Sequence, residues 1–236
     1  MNVTIILVGT THPGNIGATA RAMKNMGLNE LILVNPKSFP DPEASARASG
    51  AEEILRNTTI FDNLSDAIKD FTYVVGASSR SRTIDWPSFD ARACAIRLLQ
   101  EGCNGKAAAV FGPEHSGLTN SDLDHCHALL TIPSDPSFSS LNIAMAVQIL
   151  TYELRMSFYD GLHDEHKSGT PLASVEELEH FYSHLEDVLT RSNFLDPNNP
   201  RYLMRRLRRF FVRATPDKNE VNIFRGILTS LDQKKV

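Results

Sequence analysis

The chain has 236 residues, of which 42% are hydrophobic and 22% are charged. This ordinary globular composition is enough for one well-packed domain with a smaller appended unit, and it excludes a chain that is mainly disordered. The formal net charge of −4 argues against a protein that binds polyanions indiscriminately over its whole surface.

The longest apolar runs, at residues 3–8 and 107–111, are far shorter than the roughly 20 residues that a membrane-spanning helix needs. The first residues lack the basic region and the cleavage site of a signal peptide, so we expect a cytoplasmic protein with no membrane segment. Three widely spaced cysteines are typical of reduced thiols in that compartment. Because no CxxC or HExxH spacing occurs, the sequence predicts no metal site.

The first 160 residues alternate short β-branched runs with helical patterns, which predicts an α/β domain around a mainly parallel sheet. Strands are expected at about residues 3–8, 30–34, 58–61, 72–77, 106–111 and 128–132. Helices are expected at about residues 15–26, from 65, at 90–101, after 119 and at 140–156. The last of these helices is apolar in nearly all directions, so we expect it to pack on the sheet and also against a second subunit.

Residues 161–173 are polar and loop-like, and we expect them to link two domains. The chain is therefore divided into a domain at residues 1–160, this linker and a second domain at residues 174–236. No strand pattern occurs in the second domain. Helical patterns at about residues 174–192, 199–213 and 218–232 predict a small α-helical unit.

Charge is distributed unevenly between these parts. Residues 1–160 carry 12 Lys and Arg against 17 Asp and Glu, whereas residues 161–236 carry 12 against 11. Between residues 201 and 213 there are six arginines and no acidic residue; they are Arg201, Arg205, Arg206, Arg208, Arg209 and Arg213. A charge run is most often only a solvated face, but the planar guanidinium group also suits phosphates. The neighbouring Phe210 and Phe211 are expected to be core residues.

Four loops carry candidate functional residues, because ligands of open α/β sheets gather at the carboxyl ends of the strands. The first loop, residues 10–18, places two glycines and Asn15 before a helix that carries Arg21. Free backbone N–H groups could bind an anion there, but the spacing is not the GxGxxG of dinucleotide-binding proteins. Asn15 could instead be only a helix N-cap, and Arg21 only a surface charge.

The other three loops have alternatives of the same kind. The second, residues 76–82, mixes small residues with two arginines. The third, residues 111–119, places Glu114 between two glycines, which could also be a structural turn with an exposed carboxylate. The fourth, residues 132–142, carries Ser139 and Ser140 before the apolar helix, where either serine could be an ordinary N-cap. No loop decides the function by itself.

Together, in this order and spacing, the loops resemble one family, the SpoU/TrmH branch of the SPOUT methyltransferases. Its motifs one, two and three resemble GNIGATAR at residues 14–21, FGPEHSGL at 111–118 and SSLNIA at 139–144. The likeness extends through residues 34–36, residues 79–82 and the C-terminal helices, and so covers nearly the whole chain. Pro113 departs from the pattern, since close relatives can carry a basic residue there.

The resemblance implies an α/β domain with a trefoil knot, a homodimer with the knot near the interface, and S-adenosylmethionine as the methyl donor. The donor would lie in the knotted loops, at Ala77, Ser78, Ser79, Gly112, Ile132, Ser139, Ser140 and Leu141. The implied reaction is methylation of a ribose 2′-hydroxyl of tRNA. The pattern is most similar to enzymes that modify nucleotide 32 of the anticodon loop, either cytidine or uridine.

The resemblance also implies roles for single residues. Arg21 is the essential arginine of the family and would act on the 2′-hydroxyl. It would take the proton of the hydroxyl as a base. Because a guanidinium group is a poor base, the alternative is that Arg21 fixes the adjacent phosphate and stabilises the developing alkoxide. Asn15 would position Arg21 or the ribose, Glu114 would orient the site, and Ser140 would hydrogen-bond the ribose or the donor. The residues expected to bind RNA are Arg80, Arg82, Arg205, Arg206, Arg208 and Arg209.

Three other functions stay open on the sequence alone. The first is the same chemistry on ribosomal RNA or on another tRNA nucleotide. The second is a non-catalytic RNA-binding protein of the same branch, which the presence of Arg21, Glu114 and Ser140 disfavours. The third is a small-molecule nucleotide-binding α/β protein, which leaves the arginine-rich segment unexplained.

Overall fold

The computed structural model describes residues 1–78, 86–161 and 171–233. The strands are β1 (Val3–Val8), β2 (Leu31–Val34), β3 (Thr59–Phe61), β4 (Tyr73–Ala77), β5 (Ser88–Phe89), β6 (Ala107–Phe111) and β7 (Ala128–Leu130). The helices are α1 (Pro13–Met26), α2 (Pro42–Ala48), α3 (Glu52–Arg56), α4 (Leu64–Ile68), α5 (Ala91–Asn104), α6 (Asn120–Asp124), α7 (Ile143–Tyr159), α8 (Val175–Arg191), α9 (Leu203–Ala214) and α10 (Lys218–Gln233).

The strands form one sheet in the order β3-β2-β1-β6-β4-β7-β5, and every pairing in it is parallel. This confirms the predicted α/β class. The register brings the last residues of β1 and β6 together, with Leu7 beside Phe111. The carboxyl end of β4 lies next to β6 on one side and β7 on the other. The loops that follow these four strands therefore emerge at the same edge of the sheet.

Alternate residues of the strands point into two apolar layers on opposite faces of the sheet, because successive side chains of a β-strand alternate in direction. Ile5 and Leu7 pack toward the layer that contains α1, α5 and α7. Ile6 and Val110 pack toward the opposite layer, which contains α4 and α6. Helix α1 also approaches α2 very closely, because a Cβ atom on Gly17 would lie only 2.0 Å from the carbonyl oxygen of Ala44. Only glycine permits this contact.

Helix α7 is buried on one side and exposed on the other. Val147, Leu150 and Leu154 are fully buried, which confirms that the helix packs on the α/β domain. On the outer side, large apolar side chains remain exposed; they include Met145, Tyr152, Met156 and Tyr159.

Within residues 1–78, 86–161 and 171–233, no helix combines the length and the apolar character needed to cross a membrane.

The three C-terminal helices enclose their own small aromatic core. The rings of Phe181 and Phe211 meet edge to face at 4.7 Å, and Tyr182 packs beside them. The prediction that Phe211 is a core residue is confirmed, whereas the same prediction for Phe210 is wrong, because 54% of its surface is exposed. Adjacent residues of an α-helix point about 100° apart, which places Phe211 on the buried face of α9 and Phe210 on its outer face.

Ion pairs fix the C-terminal helices to the α/β domain. Arg205 donates from Nε to Oδ1 of Asp124 at 2.7 Å, and its guanidinium group stands over the ring of Trp86. Glu179 accepts hydrogen bonds from Arg208 and contacts His125 at 3.2 Å. Arg205 and Arg208, which are predicted to bind RNA, are thus paired with carboxylates of α6 and α8, and their contact with RNA stays a prediction.

We expect the carboxylate of Glu179 to be a major contributor to this attachment. Partial burial alone would raise its pKa, but the contacts with His125 and Arg208 outweigh that effect and hold the pKa at about 2. Because the pKa is depressed in the folded state, the stabilisation is present above pH about 4.5 and is lost as the pH falls toward 2. Glu179→Gln should lower the free energy of unfolding by about 2 to 3 kcal/mol at pH 7.

Urea denaturation of the variant and the parent protein at pH 7 and at pH 3 measures this effect, and the difference should be smaller at pH 3. Glu176→Gln is the matched control, because Glu176 is exposed on the same helix and should change stability by less than about 0.5 kcal/mol. Equal effects of the two substitutions at pH 7 would contradict the assignment.

Candidate active site

A cleft opens where the loops after β4, β6 and β7 meet the start of α7. Seven of the eight positions predicted for the methyl donor line it; they are Ala77, Ser78, Gly112, Ile132, Ser139, Ser140 and Leu141. The eighth, Ser79, and the predicted RNA-binding residues Arg80 and Arg82 lie outside the described residues. Parallel strands explain this convergence, because they deliver their following loops to one edge of the sheet.

The loop after β6 folds back tightly on itself. A Cβ atom on Gly112 would lie 2.3 Å from the backbone nitrogen of Leu118, so no larger residue fits there without moving the backbone. The N–H group of Gly117 donates to the carbonyl oxygen of Pro113 at 2.8 Å, and Gly117 has a φ of +66°. These glycines close the turn and hold Glu114 between them at the rim of the cleft.

The carboxylate of Glu114 ties the loop after β6 to the loop after β1. Its Oε2 atom accepts from the backbone nitrogen of Thr11 at 3.1 Å and from the Thr11 hydroxyl at 2.9 Å. Its Oε1 atom accepts from Nδ2 of Asn15 at 2.8 Å. The alternative that Glu114 is only an exposed turn residue is therefore wrong.

The environment of Glu114 keeps it ionised. Partial burial alone would raise its pKa, but hydrogen bonds from Asn15 and Thr11 outweigh that effect and lower the pKa below its usual value. All the hydrogen bonds described above are donated to the carboxylate. Glu114 thus acts as a fixed acceptor that connects two loops, and the orienting role predicted for it stays a prediction.

Asn15 extends the same network to the third loop. Its side chain donates to Glu114 and accepts from Nδ2 of Asn142 at 3.0 Å. The N-cap of α1 is His12, whose Nδ1 atom accepts from the N–H of Gly14. The alternative that Asn15 is a helix N-cap is therefore wrong, because Asn15 lies inside the first turn and points its amide into the network.

Asn142 is the functional residue that the sequence interpretation missed. It caps α7 by accepting from the N–H of Ala144 at 2.9 Å, while its Nδ2 atom donates to Asn15. The alternative that Ser139 or Ser140 caps this helix is wrong, since the helix begins at Ile143 and both serines are exposed on the cleft. The signal was the asparagine directly before Ile143, which is the first buried residue of the helix.

Arg21 lies on the exposed face of α1. Six residues separate it from Asn15, which corresponds to about 120° around the helix axis and roughly 9 Å along it. In the described parts of the chain, no hydrogen bond or ion pair involves its guanidinium group. The structure therefore does not bring Arg21 into contact with Glu114 or Asn15, and leaves the guanidinium group accessible to a phosphate or a ribose.

The cleft fits part of an adenosine-bearing methyl donor in its chemistry. Apolar side chains of Leu130, Ile143 and Ala146 form walls for a ring, and the hydroxyl groups of two serines lie beside them. Gly112 has no side chain to shield its backbone. The enclosed volume is about 140 Å³, which is below the roughly 300 to 1,000 Å³ of whole-ligand sites. The described part of the cleft therefore encloses a portion of such a ligand.

Two family models match the sequence and together span most of it. Residues 2–152 match the SpoU rRNA methylase family. Residues 176–236 match the C-terminal domain of the tRNA methyltransferase TrmJ. Neither model matches residues 153–175, a range that includes the predicted linker at 161–173.

Individual relatives match over nearly their whole length. The chain is 46% identical to a tRNA (cytidine/uridine-2′-O-)-methyltransferase TrmJ of Yersinia enterocolitica, covering 99% of this chain and 92% of the relative. It is 48% identical to a tRNA (cytidine/uridine/adenosine-2′-O-)-methyltransferase TrmJ of Pseudomonas aeruginosa, covering 96% and 92%. The crystal structure of TrmJ from Z. mobilis ZM4 superposes with a TM-score of 0.83 at 32% identity, covering 97% of this chain and 98% of that one.

Proposed function

The chain belongs to the SpoU rRNA methylase family, and on that premise we propose that it transfers a methyl group from S-adenosylmethionine to a ribose 2′-hydroxyl of tRNA. The observation that carries the proposal is the cleft, where seven predicted donor positions meet beside Glu114. The curated relatives described above carry names that state this reaction.

The donor supplies a methyl group on a positively charged sulfur, which is already activated toward attack by an oxygen. The protein therefore has to align two reactants and manage one proton. Ser140 and the backbone at Gly112 would hold the donor in the cleft. Glu114 and Asn15 keep the three loops together, and Arg21 would fix the RNA phosphate or stabilise the developing charge on the 2′-oxygen.

The target nucleotide is proposed to be cytidine or uridine at position 32 of the anticodon loop. The names of both relatives include cytidine and uridine, which supports these two nucleosides as targets. The name of the Pseudomonas aeruginosa relative also includes adenosine. Chemistry on the ribose does not require a protein to read the base edge, so a broad base preference is consistent with the mechanism. Action on tRNA supports the expectation of a cytoplasmic protein.

The protein is further proposed to act as a homodimer that packs through the outer side of α7. Met145, Tyr152, Met156 and Tyr159 recur at helical spacing and expose 61%, 50%, 37% and 66% of their surfaces. Monomeric proteins rarely leave contiguous apolar patches of this kind in water. We also propose that the α/β domain contains a trefoil knot. The proposed domain boundaries are residues 1–160 for this domain, 161–173 for the linker and 174–236 for the helical domain.

One assay tests the activity against its alternatives. The protein is incubated with isotopically labelled S-adenosylmethionine and with bulk tRNA or ribosomal RNA, and the digested RNA is searched for 2′-O-methylated nucleosides by mass spectrometry. Label in 2′-O-methylcytidine or 2′-O-methyluridine of tRNA is the expected result, and mass spectrometry of nuclease-derived oligonucleotides assigns it to position 32. Label only in ribosomal RNA would select the first alternative, and label in neither would favour a binding protein.

The outer face of α9 is proposed to bind the phosphates of tRNA. Arg206, Arg209 and Arg213 lie within about 60° of one another around the axis of α9, with Arg206 and Arg213 exposed and Arg209 half-buried. If about four phosphates are contacted, the log of the affinity should fall with the log of the salt concentration with a slope of roughly −3. Arg206→Ala/Arg209→Ala should make this slope less negative by about 1.5 to 2.

Filter binding of tRNA at several salt concentrations measures the slope. Arg225→Ala is the control, because Arg225 is an exposed arginine of the same domain that lies on α10. A double variant with the slope of the parent protein would rule out this face of α9 as the phosphate-binding surface.

A further inference from the structure

A second cavity, of about 480 Å³, lies between the two domains at the opposite end of the sheet from the cleft. It is lined by Tyr73 at the start of β4, by His127 just before β7, by α5 and by the end of α9. Strand β4 connects the two sites, since Tyr73 faces this cavity and Ala77 lines the cleft, roughly 13 Å further along. No role in the methylation described above uses the cavity.

One wall of the cavity is aromatic, with Phe89 half-buried and Tyr73 only 3% exposed, so that Tyr73 reaches the cavity by its edge. The rings of Tyr73 and His127 pack at 5.2 Å, and Phe89 lies on the same lining. His127 is 4% exposed, and its Nδ1 atom accepts from the backbone nitrogen of Val74. Burial lowers the pKa of His127 to about 4, so the ring is neutral and carries its proton on Nε2. Among the described residues, no group accepts a hydrogen bond from that Nε2–H.

The other wall carries positive charge. Arg97 lines the cavity above the ring of Tyr73 at 5.6 Å and pairs with Glu101 at 2.8 Å. Arg213 also lines the cavity, is exposed, and has no carboxylate partner in the described parts of the chain. Among the described residues, the cavity therefore has one cation without a carboxylate partner, beside an aromatic wall and the nearly buried Nε2–H donor of His127.

We infer that this cavity binds a nucleotide, with the base against Phe89 and the edges of Tyr73 and His127, and the phosphate beside Arg213. The Nε2–H of His127 donates to an acceptor on the base, such as the O2 atom of a pyrimidine. The inference rests on the proposed function where it names RNA as the source of the nucleotide. Arg213 lies on the same face of α9 as Arg206 and Arg209, which are proposed to bind tRNA. An RNA strand bound along that face reaches the cavity, and a free nucleotide offers the same chemistry.

Mononucleotide binding tests the site. The intact protein, with excess S-adenosylmethionine present to fill the cleft, is titrated with UMP and CMP and followed by calorimetry. The fluorescence of Trp86, the only tryptophan, gives a second signal, because Trp86 precedes the lining residue Pro87 and donates to the carbonyl oxygen of Cys126. Saturable binding with a Kd of about 1 mM or tighter is expected.

Three variants locate the binding. Ala93→Phe adds a ring at the exposed edge of the cavity without removing any contact and should obstruct binding, since Ala93 lines the cavity from α5. Arg213→Ala should weaken binding roughly tenfold. Arg92→Ala removes a charge one residue from Ala93 without touching the cavity and should bind as the parent protein does. No saturable binding, or binding that Ala93→Phe leaves intact, overturns the inference.

The same variants separate the two sources of the ligand. If the cavity takes a nucleotide of the RNA substrate, Ala93→Phe raises the KM for tRNA about fivefold or more while kcat stays unchanged. If it takes a free nucleotide, Ala93→Phe obstructs UMP binding while the KM for tRNA is unchanged. Both outcomes support a nucleotide site. Mononucleotide binding that depends on Ala93 in a protein that transfers no methyl group would refute the proposed function and keep the site.

Discussion

Arg21→Ala is expected to lower the kcat of methyl transfer by about 10³-fold. The reason is that no other cation is predicted to act beside the 2′-oxygen, and removing one preorganised group that stabilises developing charge costs about 2.7 to 4 kcal/mol in comparable sites. Folding should not suffer, because Arg21 is exposed and its guanidinium group has no partner among the described residues. The loss should therefore appear in the chemical step and not in the amount of folded protein.

Single-turnover methyl transfer to tRNA measures the effect, and calorimetry with S-adenosylmethionine measures donor binding. Donor affinity should stay within about twofold, since Arg21 does not line the cleft. Arg21→Lys should recover only part of the rate, because a lysine cannot form the bidentate contact of arginine. Arg56→Ala, at an exposed arginine on α3, is the control. A folded Arg21→Ala protein that loses donor affinity, or keeps more than a tenth of the rate, would refute the assignment of Arg21 to the chemical step.

The sequence predicted the sheet well because its signals are local. Runs such as Val3–Val8 and Ala107–Phe111 are apolar and bounded by turn residues, and each one occurs as a strand. Helices α2 and α3 and the two-residue strand β5 were not predicted. They are too short to show a helical or alternating period, so their existence depends on tertiary contacts such as the packing of α2 on Gly17.

The sequence identified the loops that form the candidate site, but it did not predict which side chains hydrogen-bond to one another there. Parallel strands force the loops to one edge, which is why the predicted donor positions meet. The partner of each polar side chain depends on distant residues: Glu114 and Thr11 are 103 residues apart, and Asn142 and Asn15 are 127 apart. In the same way, Arg205 is held by Asp124, 81 residues earlier, which no local charge pattern could indicate.

The network around Glu114 leads to the second large expected effect. Glu114→Gln should lower kcat/KM by about 10²-fold, because the amide has one oxygen where the carboxylate has two. Either the N–H and hydroxyl of Thr11 or the Nδ2 of Asn15 would then face an NH2 group. Losing one hydrogen bond to a charged acceptor costs about 1.5 to 3 kcal/mol, and the displaced loop carries the rim of the cleft.

Steady-state kinetics with tRNA measure the loss, and Glu43→Gln, the same change on neighbouring α2, is the matched control. Because the pKa of Glu114 is lowered in the folded protein, the parent enzyme should show no loss of rate from its protonation between pH 6 and 9. Asn142→Asp keeps the helix cap but removes the donor to Asn15, so its effect should combine non-additively with Glu114→Gln. Strict additivity, or a Glu114→Gln enzyme with more than a third of the parent kcat/KM, would mean that the carboxylate does not hold the loops together.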